Sequence, residues 1–383
     1  MKKKILLFSV YSLLLIGCKE QSSNNSITCI SSLNLNEARS LSSVFPNSRI
    51  IQLETTDESL IGQDIHKIRK RNNKFHISFD RRAISIFDEQ GKFINRIERR
   101  GGGPGEYIEL RDFDVLSCGS IVVLDVRKLI FYSSTGEFIR EIPLEIAGLN
   151  LRAVDDNHFL IRATNRDYCI YLINCSGEIL LKQLERRNRR IVGRPLVFYI
   201  LGYDQIIFQQ YFSNNFLSFN VTTKEFTHIN LLCDEDRILN IERVHRHQRR
   251  HNNNNFVDNN PNARIISNIA SYSDYLLFFA GSQNTEFRGY LMNTANNSVT
   301  YIITQNTVDD IGFTQLLLLN SIGISDFKES FVTFLHPFEI AEGLNNNNNA
   351  HLRDHPNYQR LRTLLAGIDN IYDENPVLVI LRR

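Results

Sequence analysis

From residue 65 onward, apolar and polar positions alternate in short runs, each closed by Asn, Asp, Gly or Ser, and this period of two predicts β-strands. One stretch carries the runs Ile65–Lys70, Lys74–Phe79, Ala83–Phe87 and Lys92–Ile97. The next carries Asp112–Leu116, Ser120–Asp125, Leu129–Ser133 and Glu137–Ile142. Helical spacing is nearly absent before residue 350. The turn leading into the fourth run recurs as Asp88-Glu89-Gln90-Gly91, Ser133-Ser134-Thr135-Gly136 and Asn174-Cys175-Ser176-Gly177, with looser copies starting at Asn220 and Asn293. Gly91, Gly136 and Gly177 lie 45 and 41 residues apart. Four strands per such period is the pattern of a propeller blade. A β-sandwich is the competing architecture, but it has no reason to repeat a whole four-strand unit.

Five complete periods run to about residue 303. Left over are Ser330–His336, Pro376–Leu381 and a strand near the start. The reading is therefore an all-β, six-bladed β-propeller in which Ile50–Leu53 completes the last blade beside Val377–Leu381 and so removes the open edge. Arg353–Ala366 reads as one short helix inserted into that blade. Residues 234–263 form a polar insert, and Asn252–Asn255 and Asn345–Asn349 are low-complexity loops.

Composition adds an address. The chain has 383 residues, 42% hydrophobic and 22% charged, enough for a large core. Lys+Arg is 44 against 42 for Asp+Glu, so no charge imbalance points to nucleic acid. Lys2, Lys3 and Lys4 precede the apolar run Ile5–Ile16, which is too short to span a bilayer as a helix. The run ends in Leu15-Ile16-Gly17-Cys18, which resembles the lipobox of bacterial lipoproteins. That resemblance implies a signal peptide over residues 1–17, lipidation (diacylation and palmitate-like acylation) of Cys18, and a polar tether over 18–47 ahead of the propeller at 48–383. Lys19 follows the Cys, unlike an inner-membrane retention signal, so the expected location is the bacterial outer membrane, lipid-anchored. Removing residues 1–17 deletes three Lys and no acid, so the mature chain is close to neutral. Of the other cysteines, Cys169 and Cys175 allow one bridge at most, and no paired spacing suits zinc.

The second period carries a family resemblance. Gly103-Pro104-Gly105-Glu106-Tyr107, Gly119-Ser120-Ile121-Val122-Val123-Leu124-Asp125, Leu129-Ile130-Phe131-Tyr132 and Gly136-Glu137-Phe138 resemble an NHL-type repeat. With the lipobox, residues 48–383 are similar to bacterial six-bladed β-propeller lipoproteins, most closely in the first three blades. The resemblance implies fold and envelope location and no single activity.

Several motifs have ordinary structural readings. Gly101-Gly102-Gly103-Pro104-Gly105 leads into a strand rather than a helix, so it reads as a tight crossing between blades rather than a phosphate loop. His245, His247 and His251 lie among four arginines in Arg243–His251, where cations oppose metal binding. Hydrolase and metalloprotease signatures are missing. No cofactor is expected; Asp80, Asp114 and Asp125 are the acids a central calcium would use, though strand-end acids ordinarily close turns. Charge geography says more. Loops joining strands two to three, and blade to blade, share one end and hold Arg81, Arg82, Arg127, Arg166, Arg187, Arg189 and Arg190. The opposite loops are rich in Asp and Glu. One basic rim on a neutral body can orient an anionic ligand, and Arg offers a planar fork for carboxylate or sulfate. The expected role is a binding or scaffolding module in nutrient capture, beside an outer-membrane transporter, with a glycan or other anionic polysaccharide as ligand. The competing reading is a propeller enzyme, a polysaccharide lyase or lactonase-type hydrolase with its site at the axial tunnel.

Overall fold

Each period folds as a four-stranded antiparallel meander. The structure is a computed structural model that describes residues 39–163, 167–185, 198–201, 204–209, 215–230, 265–282, 285–293, 295–296, 298–302, 330–345, 353–354, 356–368 and 370–382. The first sheet is β2 (Ile65–Arg71), β3 (Lys74–Phe79), β4 (Ala83–Asp88) and β5 (Phe93–Ile97). The second is β6 (Asp112–Val115), β7 (Ile121–Leu124), β8 (Lys128–Tyr132) and β9 (Phe138–Pro143). The third is β10 (Gly148–Ala153), β11 (His158–Ala163), β12 (Tyr168–Asn174) and β13 (Ile179–Glu185). The fourth is β14 (Phe198–Leu201), β15 (Gln205–Gln209), β16 (Asn215–Asn220) and β17 (Phe226–Asn230). The fifth is β18 (Ile265–Tyr272), β19 (Tyr275–Ser282), β20 (Thr285–Asn293) and β21 (Ser298–Ile302).

The recurring turn has one physical cause. Its first side chain accepts backbone N–H groups further along the turn and so fixes the reversal. Asp88 Oδ1 takes the amides of Gln90 and Lys92, Ser133 Oγ those of Thr135 and Glu137, and Asn174 Oδ1 those of Ser176 and Glu178. Asn220 and Asn293 do the same for Thr222 and Ala295. Gly91, Gly136 and Gly177 sit at φ of 90°, 82° and 88°, which glycine adopts without steric cost, and the register shifts by a bulge directly after each turn. The repeat seen in the sequence is thus a repeat of turn chemistry.

Middle strands are buried on both faces, which is why β7 reads Ile-Val-Val-Leu without alternation. Ile121 and Val123 pack with Ile84, Ile86 and Phe113 between the first two sheets, while Val122 and Leu124 pack with Phe159 and Ile161 of the third. The third and fourth sheets share a core through Leu160, Leu172, Phe208 and Phe219. By contrast, the outer strand β9 exposes Phe138 to Glu141.

Chain ends meet in the last described sheet. β1 (Arg49–Gln52) pairs antiparallel with β23 (Val377–Leu381), from Arg49↔Ile380 to Gln52↔Val377, and β22 (Phe331–Leu335) pairs with the other edge of β23. This sheet shares one core with the fifth sheet (Leu277, Leu291 and Ile302 with Phe331 and Val377) and another with the first (Ile68 and Phe75 with Val332 and Leu378).

Two expectations are corrected. The segment expected as tether to residue 47 is packed from α1 (Leu41–Val44) onward, because Val44 and Phe45 are apolar and find a core: Phe45 is fully buried, edge-on to Phe331 at 5.6 Å. Among the described residues two helices, not one, follow β22: α2 (Pro337–Asn345) and α3 (Pro356–Ala366). Proline at the first position of each has no N–H to leave unsatisfied, and the Glu339 carboxylate accepts the His336 amide at 2.7 Å ahead of α2. The pairing that the sequence left open is also resolved: Cys175 is a free thiol. Cys18, the insert 234–263 with its histidines, and Asn346–Asn349 lie outside the described residues.

Candidate functional site

The first strands of the first three sheets lie side by side and carry a ladder of buried charges. On β2, alternate residues Lys67, Arg69 and Arg71 face β6. Lys67 Nζ donates to Asp112 Oδ1 at 2.7 Å and to the Leu151 carbonyl at 3.1 Å. Arg69 Nε donates to Asp114 Oδ1 at 3.1 Å. Arg71 Nε reaches the Leu116 carbonyl at 3.4 Å. The acids also bind β10: Asp112 Oδ2 accepts Leu151 N–H at 2.8 Å, Asp114 Oδ2 accepts Ala153 N–H at 2.9 Å, and Arg152 stands 3.4 Å from Asp114. Each acid additionally accepts the amide of the residue after it.

Burial and charge act against each other here. Arg152, Arg69 and Lys67 hold the Asp114 carboxyl far below the usual carboxylate range, outweighing its burial. Burial, helped by Arg69, lowers Lys67 to about 8 against the pull of Asp112 and Asp114. Burial lowers Arg152 to about 9, with Arg69 and Arg71 pushing the same way and Asp114 opposing. On β3, burial lowers His76 to about 4, so the ring is neutral at pH 7 with Nδ1 3.3 Å from the Arg69 carbonyl.

The predicted rim is less uniform than its sequence. Arg81 and Arg82 occupy the β3–β4 turn and are exposed, but each has an acid: Glu109 at 3.1 Å from Arg81, and Glu98 beside Arg82. Arg127 is exposed in the equivalent β7–β8 turn. Arg166, Arg187, Arg189 and Arg190 lie outside the described residues. Two of the three acids considered for calcium have other partners. Asp114 is taken by guanidinium groups, and Asp125 accepts the amides of Ile108, Glu109 and Val126. Asp80 is exposed beside Arg81. Among the described residues no three His, Cys, Asp or Glu side chains converge as a metal site. No helix among them is long and apolar enough to cross a membrane.

Gly101–Gly105 is the crossing between the first and second sheets. Tyr107 is fully buried there, its hydroxyl donating to the Arg82 carbonyl at 2.6 Å and accepting Arg99 N–H at 3.2 Å; burial pushes its pKa up to about 12. The ladder was not read from the sequence. Its signal was present as an offset: Lys67–Asp112 and Arg69–Asp114 are each 45 residues apart, the same step as Gly91–Gly136.

Comparison with known proteins places the fold. A family model described as a domain of unknown function (DUF4934) matches residues 25–382. A crystal structure of a protein described as exported, from Bacteroides fragilis, superposes with a TM-score of 0.66 at 19% identity over 88% of this chain and 94% of that one. A protein of unknown function from Bacteroides caccae reaches a TM-score of 0.33 at 12% identity, over 44% of this chain and 61% of that one. The WD40 domain of Neurospora crassa Pan2 reaches 0.37 at 12% identity, over 62% and 64%. No curated protein matches. The fold is all-β and propeller-like, built of four-stranded antiparallel sheets.

Proposed function

The chain belongs to the DUF4934 family, and from that premise we propose that it is a lipid-anchored, six-bladed β-propeller of the bacterial cell envelope that acts by binding an anionic ligand. Ring closure is supported by the pairing of β1 with β23 and by the cores that the last sheet shares with both the first and the fifth. In such a ring the first strands line the axis, and the ladder lies along it. Envelope location is supported by the Lys-rich start, the short apolar run and Cys18, and by the exported character ascribed to the Bacteroides fragilis protein. A glycan or other acidic polymer, held beside an outer-membrane transporter, is the ligand that suits an arginine-rich rim.

The observation that carries the binding reading over the enzyme reading is the commitment of the ladder acids. A lyase or hydrolase at the axis needs an acid or base that can exchange a proton with its substrate. Asp112 and Asp114 are instead taken up by Lys67, Arg69, Arg152 and strand amides. They act as fixed pegs between sheets.

The test has two arms. Cys18→Ser should abolish labelling by a palmitate analogue and release the protein from membranes, since a tether without acyl chains has no membrane affinity. Replacing Arg127, Arg187, Arg189 and Arg190 by Ser should weaken retention on an acidic-polysaccharide affinity gel, with the melting temperature nearly unchanged. Exposed ion pairs contribute only about 0–1 kcal/mol to stability, whereas ligand contacts at the rim depend on those charges. Retention should also fall with salt. Equal retention of acidic and neutral gels would refute the anionic ligand.

A further inference from the structure

We infer that the crossing between the first two sheets is a docking surface for an anionic lipid bilayer, with Ile108 as its apolar tip. The inference goes beyond the rim reading. It shares with that reading only the sign of the partner's charge, and it rests on contacts between two adjacent sheets rather than on ring closure.

Residues 107–111 are held from three sides. Tyr107 N–H donates to the Arg99 carbonyl at 2.9 Å and its hydroxyl to the Arg82 carbonyl at 2.6 Å. Leu110 N–H donates to the Arg81 carbonyl at 3.2 Å. The amides of Ile108 and Glu109 each donate to the buried Asp125 carboxylate at 3.2 Å, two residues before Arg127. These bonds gather Arg81, Arg82, Arg99, Arg100, Arg111 and Arg127 around one short segment. Within it Ile108 is 68% exposed, while Tyr107 and Leu110, before and after it, are buried. With its flanking side chains and its amide fixed, Ile108 cannot turn inward, and its branched side chain is stiff. Exposed aliphatic residues scattered singly are ordinary. One held rigidly outward among arginines calls for a partner that is both apolar and anionic.

The positive charge is not cancelled locally. Arg81 at 3.1 Å and Arg111 at 2.7 Å share Glu109, and Arg82 and Arg96 share Glu98. Arg99, Arg100 and Arg127 are exposed and form no ion pair among the described residues. Asp80 adds one exposed acid in the β3–β4 turn, whereas Glu106 accepts the Gly103 amide and Asp125 is taken by amides. An anionic bilayer matches both features: guanidinium forks meet headgroup phosphates while the apolar tip enters the acyl boundary. A polysaccharide satisfies the arginines and offers the isoleucine nothing. The expected anchor is compatible with this contact. Residues 19–38 separate Cys18 from Arg39, a reach of about 70 Å if fully extended, so the lipid leaves the orientation of the sheets open and the patch selects it.

The experiment measures co-sedimentation with phosphatidylcholine vesicles, with and without phosphatidylglycerol. It uses the processed chain, residues 18–383 with Cys18→Ser, so that no acyl group contributes. Binding is expected to the anionic vesicles, falling with salt. Each arginine near an anionic surface contributes about fivefold in partitioning, so Arg99→Ser with Arg100→Ser should weaken binding about tenfold or more. Ile108→Ser should weaken it about fivefold, from the apolar area left in water. Ile108→Phe keeps the tip and should bind at least as well as the parent, which separates loss of the tip from a folding defect. All these side chains are exposed, so melting temperatures should stay near the parent's. The inference is overturned if anionic and neutral vesicles bind alike, if Ile108→Ser or the double arginine variant binds as the parent does, or if an acidic protein is captured while vesicles are not. Retention on the acidic-polysaccharide gel separates the two readings. Ile108→Ser should be retained as the parent is, and vesicle binding without gel retention would remove the polysaccharide and leave the bilayer contact standing. Gel retention without vesicle binding would do the reverse.

Discussion

Asp114 accepts from Arg69, lies beside Arg152 and takes two strand amides while almost fully buried, so its charge is both costly to bury and well compensated. Removing it leaves two guanidinium groups buried without their acid, and Asp114→Ala should cost about 3–5 kcal/mol in chemical denaturation at pH 7. The pH dependence has a definite sign. Since the folded state holds this carboxyl far below its unfolded value of about 3.9, its contribution is full above that value and is lost as pH falls further. His76 acts at milder acidity. Buried and neutral, it titrates at about 4 when folded, against about 6.5 unfolded. The unfolded chain therefore binds more protons between those values, and stability should fall there by up to about 1.4 kcal/mol per pH unit. His76→Phe should flatten the curve between pH 6.5 and 4; an unchanged slope in pH-resolved melting would reject the assignment.

At the scale of elements, the Gly101–Gly105 crossing shows how a sequence reading and a fold can agree for a reason. A segment threading between two sheets has little room for side chains. Gly105 has φ of 73°, and an added Cβ would meet the Phe138 ring at 2.6 Å; Gly102 has open space around its Cα. Gly105→Ala should lower stability by more than about 1 kcal/mol from backbone conformation alone, while Gly102→Ala should change it little. Comparable melting of both variants would mean the crossing tolerates more than its geometry implies. The helices teach the converse. Each has proline at its first position, and α2 also has Glu339 reaching back to its N-terminus. Those signals are local and were available for α2, but its short apolar face does not stand out by periodicity. Burial of Ile340, and the Tyr358 hydroxyl bonded to the Leu344 carbonyl at 2.7 Å, are what hold the pair.

For the whole molecule, the decisive contact joins the two ends of the chain. β1 covers one edge of β23, whose five residues are all buried. Deleting residues 49–53 should expose that edge and its backbone donors, giving a large fall in melting temperature and aggregation; a truncated protein that melts like the parent would remove the closure scheme. What the sequence determined by itself was the periodic part of the fold. The turn side chains at Asp88, Ser133, Asn174, Asn220 and Asn293 act on amides a few residues away, so the repeat, the strands and the four-strand unit were legible from one chain. The antiparallel partner of β23 was also legible, because an unpaired edge demands one. Only the tertiary structure decided that Phe45 belongs to the core, that Arg81 and Arg82 have acids of their own, and that Lys67, Arg69, Asp112, Asp114 and Arg152 form one ladder. Those facts depend on which side chains meet in space, at separations from 16 residues for Arg82 and Glu98 through 45 for Lys67 and Asp112 to 286 for Phe45 and Phe331. Alternation tells that a residue faces one side of its own sheet and is silent about what the neighbouring sheet presents there.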